Sequence, residues 1–198
     1  MTKNIRLAVL ASGRGSHLEN VDLACQNQLL PATVKLVASD KAVSGAMRYA
    51  ESRGIATAFL DQSLLLSPDA RDQYLADQLK AHAIDWVLCL GYLKRIGPQV
   101  VSAFKDKIIN VHPSLLPKFG GQGMYGLAVH QAVLDAGETE TGATVHFVNE
   151  AYDEGAIIAQ IRVTIPPKID SIALAALVLK AEHQLVLNTL SRLFTAHD

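Results

Sequence analysis

Charge is scarce and balanced: Lys and Arg number 18, Asp and Glu 19, and the formal net charge is -1. No global basic field therefore draws this chain to nucleic acid. No apolar stretch approaches the length of a membrane span, and Met1 to Arg6 leads straight toward a strand-like run with no secretory hydrophobic region. Cysteine is rarer still. Cys25 and Cys89 stand far apart with no C-x-x-C between them, so neither a zinc site nor a disulfide framework is expected. Both read as buried thiols in a reducing compartment. Internal repeats, low-complexity tracts and linkers are lacking as well. What remains is 198 residues, 49% hydrophobic and 19% charged, enough for one globular domain with a substantial core. A cytoplasmic enzyme or binding protein is the natural class.

The elements follow from pattern. Ile5 to Leu10 reads as a buried strand, the Ala11 to Ser16 turn follows, and a helix runs from about His17 to Asn27. Ser16 is placed to cap that helix, with Glu19 closing a capping box. Next come a strand at Thr33 to Ser39, a helix near Ser44 to Arg53, a short strand at Thr57 to Leu60, and a loop. A helix from Pro68 to about His82, a strand at Ile84 to Leu90, a Gly91 to Pro98 loop and a short helix to Phe104 lead to a strand at Ile108. This β-α alternation predicts an α/β fold, a doubly wound and mainly parallel sheet. After His112 the character changes. Lys118 to Gly126 carries four glycines, a segment expected to be mobile and to touch a ligand or partner. A helix from Leu127 to Ala136 ends at Gly137. Thr141 to Asn149 and Ala156 to Thr164 are expected to pair antiparallel, because only a short connection joins them. A long helix from Ser171 to Ala196 closes the chain. One domain is expected, with a nucleotide-binding half to about residue 104 and a catalytic half from about 105.

Two stretches suggest chemistry. In Ile108-Ile109-Asn110-Val111-His112-Pro113, residues two apart share a face, so an amide and an imidazole project together where Pro113 ends the strand. Open α/β sheets keep their ligand crevices at such carboxyl ends. A strand that merely stops at a turn is the plain alternative. The Gly13-Arg14-Gly15-Ser16 turn, between strand and helix, points backbone N–H groups and a positive dipole end at an anion. Phosphate binding competes there with a plain strand–helix turn and, more sharply, with a dinucleotide fingerprint. Leu18 occupies the third glycine position of that fingerprint, while Asp40 stands roughly where a ribose-binding acid would.

Ala11 to Ser16, Gly91 to Pro98, Asn110-Val111-His112-Pro113-Ser114-Leu115-Leu116-Pro117 and Gly142 to Gln160 together resemble the phosphoribosylglycinamide formyltransferase family, from Ile5 to about Thr189. The resemblance implies formyl transfer from 10-formyltetrahydrofolate to the amine of glycinamide ribonucleotide, in de novo purine biosynthesis and without a metal. It implies a catalytic trio of Asn110, His112 and Asp153. It assigns the substrate phosphate to Gly15, Ser16 and His17 and the ribose hydroxyls to Glu182. The folate co-substrate falls to Arg71, Leu93, Lys94, Ile96, Asn110, Asn149 and Glu150. Read without the resemblance, Asp153-Glu154-Gly155 is a tight turn and Glu182 a solvated or dipole-neutral helix residue. The pattern departs from the family in three places: His17 replaces an Asn, Lys94 replaces a frequent Arg, and the Gly120 to Gly126 loop is longer. Implied partners are the two small molecules, with no nucleic acid and no membrane, acting on a monomer or homodimer. The rival readings are a formyltransferase for an amino-sugar nucleotide and a nucleotide-binding module without catalysis.

Overall fold

The computed structural model describes residues 4–60 and 67–195. The loop expected after Leu60 falls at 61–66, outside the described residues. In chain order the elements are β1 (Ile5–Leu10), α1 (Ser16–Gln26), β2 (Ala32–Ser39), α2 (Gly45–Ser52), β3 (Ala56–Phe59), α3 (Pro68–Ala81), β4 (Trp86–Cys89), α4 (Pro98–Ala103), β5 (Ile108–His112), α5 (Leu127–Asp135), β6 (Glu140–Phe147), β7 (Ile157–Thr164) and α6 (Ser171–Thr195). Among the described residues the strands form one sheet in the order β3-β2-β1-β4-β5-β6-β7. β1 pairs in parallel with β2 and β4, and β2 with β3, whereas β6 and β7 run antiparallel. The expected α/β class, parallel first and antiparallel last, is what the chain adopts.

The chain groups into two compact units. One holds the residues up to Ile109, rejoined by the chain from Leu193; the other is Asn110–Arg192. In the first unit, Leu7 to Leu10 are fully buried, as a central parallel strand covered on both faces must be. The winding reverses between β1 and β4, which is where doubly wound sheets open a ligand crevice. The turn after β1 and the loop after β4 meet at this point: Ser12 N–H donates to the Gly91 carbonyl at 3.0 Å, and Leu93 N–H donates to Ser12 Oγ at 3.1 Å. Trp86 on β4 packs edge-on against Phe194 at the end of α6, with ring centroids 5.7 Å apart.

In the second unit, β6 is buried from Thr141 to His146. Its register with β7 shifts between Val145 and His146. Such a bulge re-aims a side chain. The turn leaving β5 is tied to β6 through one hydroxyl. Thr144 Oγ1 donates to the Ser114 carbonyl at 2.7 Å and accepts from Leu116 N–H at 3.0 Å. Gln160 of β7 adds its amide to both Leu116 O and Thr144 Oγ1.

Three expectations are corrected. Gly15, left-handed at φ 87, is the residue that precedes α1, and no side chain caps that helix. Ser16 is instead its first helical residue, so its hydroxyl closes no capping box. Cys25 is only half-buried, unlike Cys89, although burial first and the Asp22 charge second push its thiol up to about 12. Finally, the fourth strand is shorter at both ends than its apolar run.

Candidate active site

β5 carries Asn110 and His112 to its carboxyl end, and the turn after β6 brings Asp153 to them. Asp153 is itself left-handed, at φ 56. Its Oδ2 lies 3.4 Å from His112 Nδ1 and accepts from Gly121 N–H at 2.9 Å. Its Oδ1 lies 3.5 Å from Nε2 of His146. Burial works against the charged carboxylate, but the hydrogen bond from His146, the His112 charge and the Gly121 N–H outweigh it and hold the carboxyl below its usual range.

The partners of His112 constrain its protons. Nε2 lies 2.8 Å from the Phe119 carbonyl, which can only accept, so that nitrogen carries a proton. Nδ1 faces a carboxylate, a second acceptor. An imidazolium satisfies both sides at once; the neutral ring leaves a lone pair against Asp153. The side chain is buried to 4% exposure, which keeps competing water off this pair. His146 is arranged differently. Its Nδ1 donates to the Phe147 carbonyl at 2.9 Å. Its Nε2 stands 3.0 Å from Asn110 Nδ2 as well as 3.5 Å from Asp153 Oδ1. Protonated, that nitrogen donates to the carboxylate; unprotonated, it accepts from the amide. Asn110, His112 and Asp153 are therefore brought together, with His146 as a fourth member.

Sequence reasoning missed His146. It stands in the Gly142 to Phe147 run, where Thr144 and His146 put polar groups two apart into a strand of buried residues. That alternation was the available signal. The Phe119 carbonyl and Gly121 N–H left no signal, being backbone. They show that Lys118 to Gly121 is fastened to the trio: Ser114 Oγ also donates to the Lys118 carbonyl at 2.7 Å.

Glu182 lies on α6 and is buried to 7% exposure, so it is not a solvated helix residue. His130 on α5 is equally buried. Burial lowers its pKa, with the Glu182 charge opposing and the His112 charge adding to the effect. In the first unit, Gly15, Ser16 and His17 open α1, with His17 buried. Arg71 sits in the first turn of α3, and its neighbour Asp72 accepts from Gln99 N–H at 2.7 Å, capping α4 where Gly97 has no side chain to do so. The loop bearing Leu93, Lys94 and Ile96 is thus pinned at Ser12 and at Asp72. Leu93 and Lys94 are exposed and Ile96 is buried. Asn149 and Glu150 are exposed residues of the second unit. Among the described residues no group of His, Cys, Asp and Glu is arranged to hold a metal ion, and no helix is long and apolar enough to cross a membrane.

Residues 5–190 match the formyl transferase family. The phosphoribosylglycinamide formyltransferase of Haemophilus influenzae is 38% identical over 84% of this chain and 76% of its own length. The chloroplastic phosphoribosylglycinamide formyltransferase of Arabidopsis thaliana is 40% identical over 91% of this chain, which spans 62% of that relative. A solved phosphoribosylglycinamide formyltransferase from Bacillus halodurans superposes with a TM-score of 0.91 at 32% identity, covering 98% of this chain and 97% of its own. On sequence and fold alike, the chain belongs to the phosphoribosylglycinamide formyltransferase family.

Proposed function

We propose that the protein transfers a formyl group from 10-formyltetrahydrofolate to the amine of glycinamide ribonucleotide; relatives named phosphoribosylglycinamide formyltransferase support the formyl group and its acceptor. The observation that carries this reading is the convergence of Asn110, His112 and Asp153. Attack of the amine on the formyl carbon puts negative charge on the formyl oxygen. Asn110 offers an amide N–H to that oxygen, and the His112 imidazolium stabilises it by its charge. In the geometry described, His112 spends its Nε2 proton on the Phe119 carbonyl, so a direct hydrogen bond from that nitrogen requires the carbonyl to give way. Asp153 keeps the imidazole charged and oriented, and takes the amine proton out through water. The adduct then breaks its bond to N10 of the folate, which gains a proton as it leaves.

The remaining assignments belong to the same proposal. Gly15, Ser16 and His17 hold the phosphate: they stand at the start of α1, where a helix turns N–H groups and its positive dipole end toward an anion. Glu182 holds the ribose hydroxyls. Arg71, Leu93, Lys94, Ile96, Asn110, Asn149 and Glu150 take the folate co-substrate. The reaction draws on no metal. The cytoplasm is the compartment proposed, in keeping with two unpaired thiols. The test is formyl transfer between these two compounds followed by product analysis. Transfer to an amino-sugar nucleotide instead, or ligand binding without transfer by the wild-type protein, would replace this reading.

A further inference from the structure

We propose that Gly45, the first residue of α2, is a positioning residue for the phosphate turn, there to let the backbone of Arg14 lie against the helix. The proposal rests on the phosphate reading of residues 13–16. Its observations are steric. A Cβ built on Gly45 comes within 2.8 Å of both the carbonyl carbon and the Cα of Arg14, and would run into the Arg14 carbonyl oxygen. On the other side of the same peptide, a Cβ on Gly15 would lie 2.8 Å from Ala46 Cα and 3.0 Å from Ala46 N. Between them, Ala46 N–H donates to the Gly13 carbonyl at 3.2 Å. Turn and helix thus touch backbone to backbone at two glycines and one hydrogen bond.

Helix chemistry does not explain Gly45. Its φ is not in the left-handed region, and Ala is the better helix former. The cap of α2 is already supplied by Ser44, whose Oγ accepts from Met47 N–H at 3.1 Å. What a methyl group at 45 changes is therefore the approach of Arg14. One of the two partners must then move, and burial says which. Ala46, Met47 and Ala50 root α2 in the core, at 0%, 5% and 0% exposure. Gly13 and Arg14 are exposed, and nothing lies within 4 Å of where a Gly13 Cβ would stand. The turn yields. It carries Gly15 and the first N–H groups of α1 with it, and these are the groups that must converge on the phosphate.

The experiment compares Gly45→Ala with Ser44→Ala. Gly45→Ala is expected to raise KM for glycinamide ribonucleotide about tenfold or more, the cost of losing a charge-assisted hydrogen bond, with kcat within about twofold. Ser44→Ala loosens the start of α2 without pushing the turn. It is expected to lower Tm and leave KM alone. A wild-type KM in Gly45→Ala, or an equal rise in both variants, overturns the proposal. Should Gly45→Ala not fold, the wild-type protein decides by NMR titration with inorganic phosphate. Amide signals of Ser16 and His17 should shift together with those of Gly45 and Ala46, at one midpoint. Shifts at Ser16 and His17 alone overturn the role of Gly45. No saturable shift at either pair overturns the phosphate reading, and the positioning role with it.

Discussion

Around Asp153 the ionisable partners are side chains, an imidazole on each carboxylate oxygen and an amide on the second imidazole, with the Gly121 N–H and the Phe119 carbonyl as backbone supports. At residues 13–16 the contacts are made by backbone, with two glycines admitting a neighbouring main chain. The first arrangement is specified by residue type, so a change of one functional group should abolish an effect. The second is specified by absence of side chains, so an added methyl should distort rather than delete. Side-chain sites should therefore lose turnover when altered, and backbone sites affinity.

The largest effects expected are in the side-chain cluster. Removing one oxyanion donor costs about 10²–10³ in turnover, so steady-state assays of Asn110→Ala and His112→Ala should fall at least that far, with substrate still binding. Asp153→Asn should also be severe, since an amide puts no negative charge 3.4 Å from His112 Nδ1. Near-normal kcat in Asp153→Asn would reduce the trio to its Asn-His pair. Glu182→Ala should lie between the two behaviours, raising KM about tenfold for a lost hydrogen bond to a polar ligand while kcat changes less. An unchanged KM removes Glu182 from the site.

Smaller effects concern stability. Folded Asp153 releases its proton more readily than the unfolded chain does. Below about 3.8 the unfolded state therefore binds more protons, and stability falls as pH drops through the folded value. Urea midpoints measured from pH 5 downward should fall less steeply in Asp153→Asn than in wild type. His130 adds a second slope of the same sign at higher pH. Its buried ring takes a proton less readily than the usual 6.5, so stability is lost as pH falls below that value, and His130→Gln should flatten this part of the curve. Smallest is Asp72→Ala, which uncaps α4 and should cost about 1 kcal/mol in urea unfolding. A loss near zero would mean that the Asp72 cap does not hold the Gly91 to Pro98 loop.

These differences also decide what could be read from the sequence. β1 and the antiparallel end of the sheet were legible because buried strands and short connections leave strong patterns. Asn110 and His112 were legible because alternation puts them on one face and Pro113 stops the strand. Asp153 was not, without the family resemblance: its pairing with His112 depends on a turn closing from another strand, and turn residues carry no record of what they approach. His146 was not legible, because the register shift after Val145 that sets it apart from the other inward residues of β6 leaves no mark in residue type. Ser16 was misread as a cap because capping rules score the hydroxyl, whereas Gly15 took the position before α1 by conformation. The Phe119 carbonyl has no residue type to recognise at all.

Asp153 combines its charge with a left-handed backbone, φ 56, where an L side chain is strained by about 1–2 kcal/mol and glycine is not. Laboratory evolution at this codon should split by what is selected. A library sorted for folding well below pH 3.8, where the carboxylate is protonated, should enrich glycine, which relaxes the turn. Sorted for turnover, it should return aspartate. The partners of the carboxylate thus offset the backbone strain only while it is charged, and stability-guided redesign carried out at low pH would erase this aspartate first.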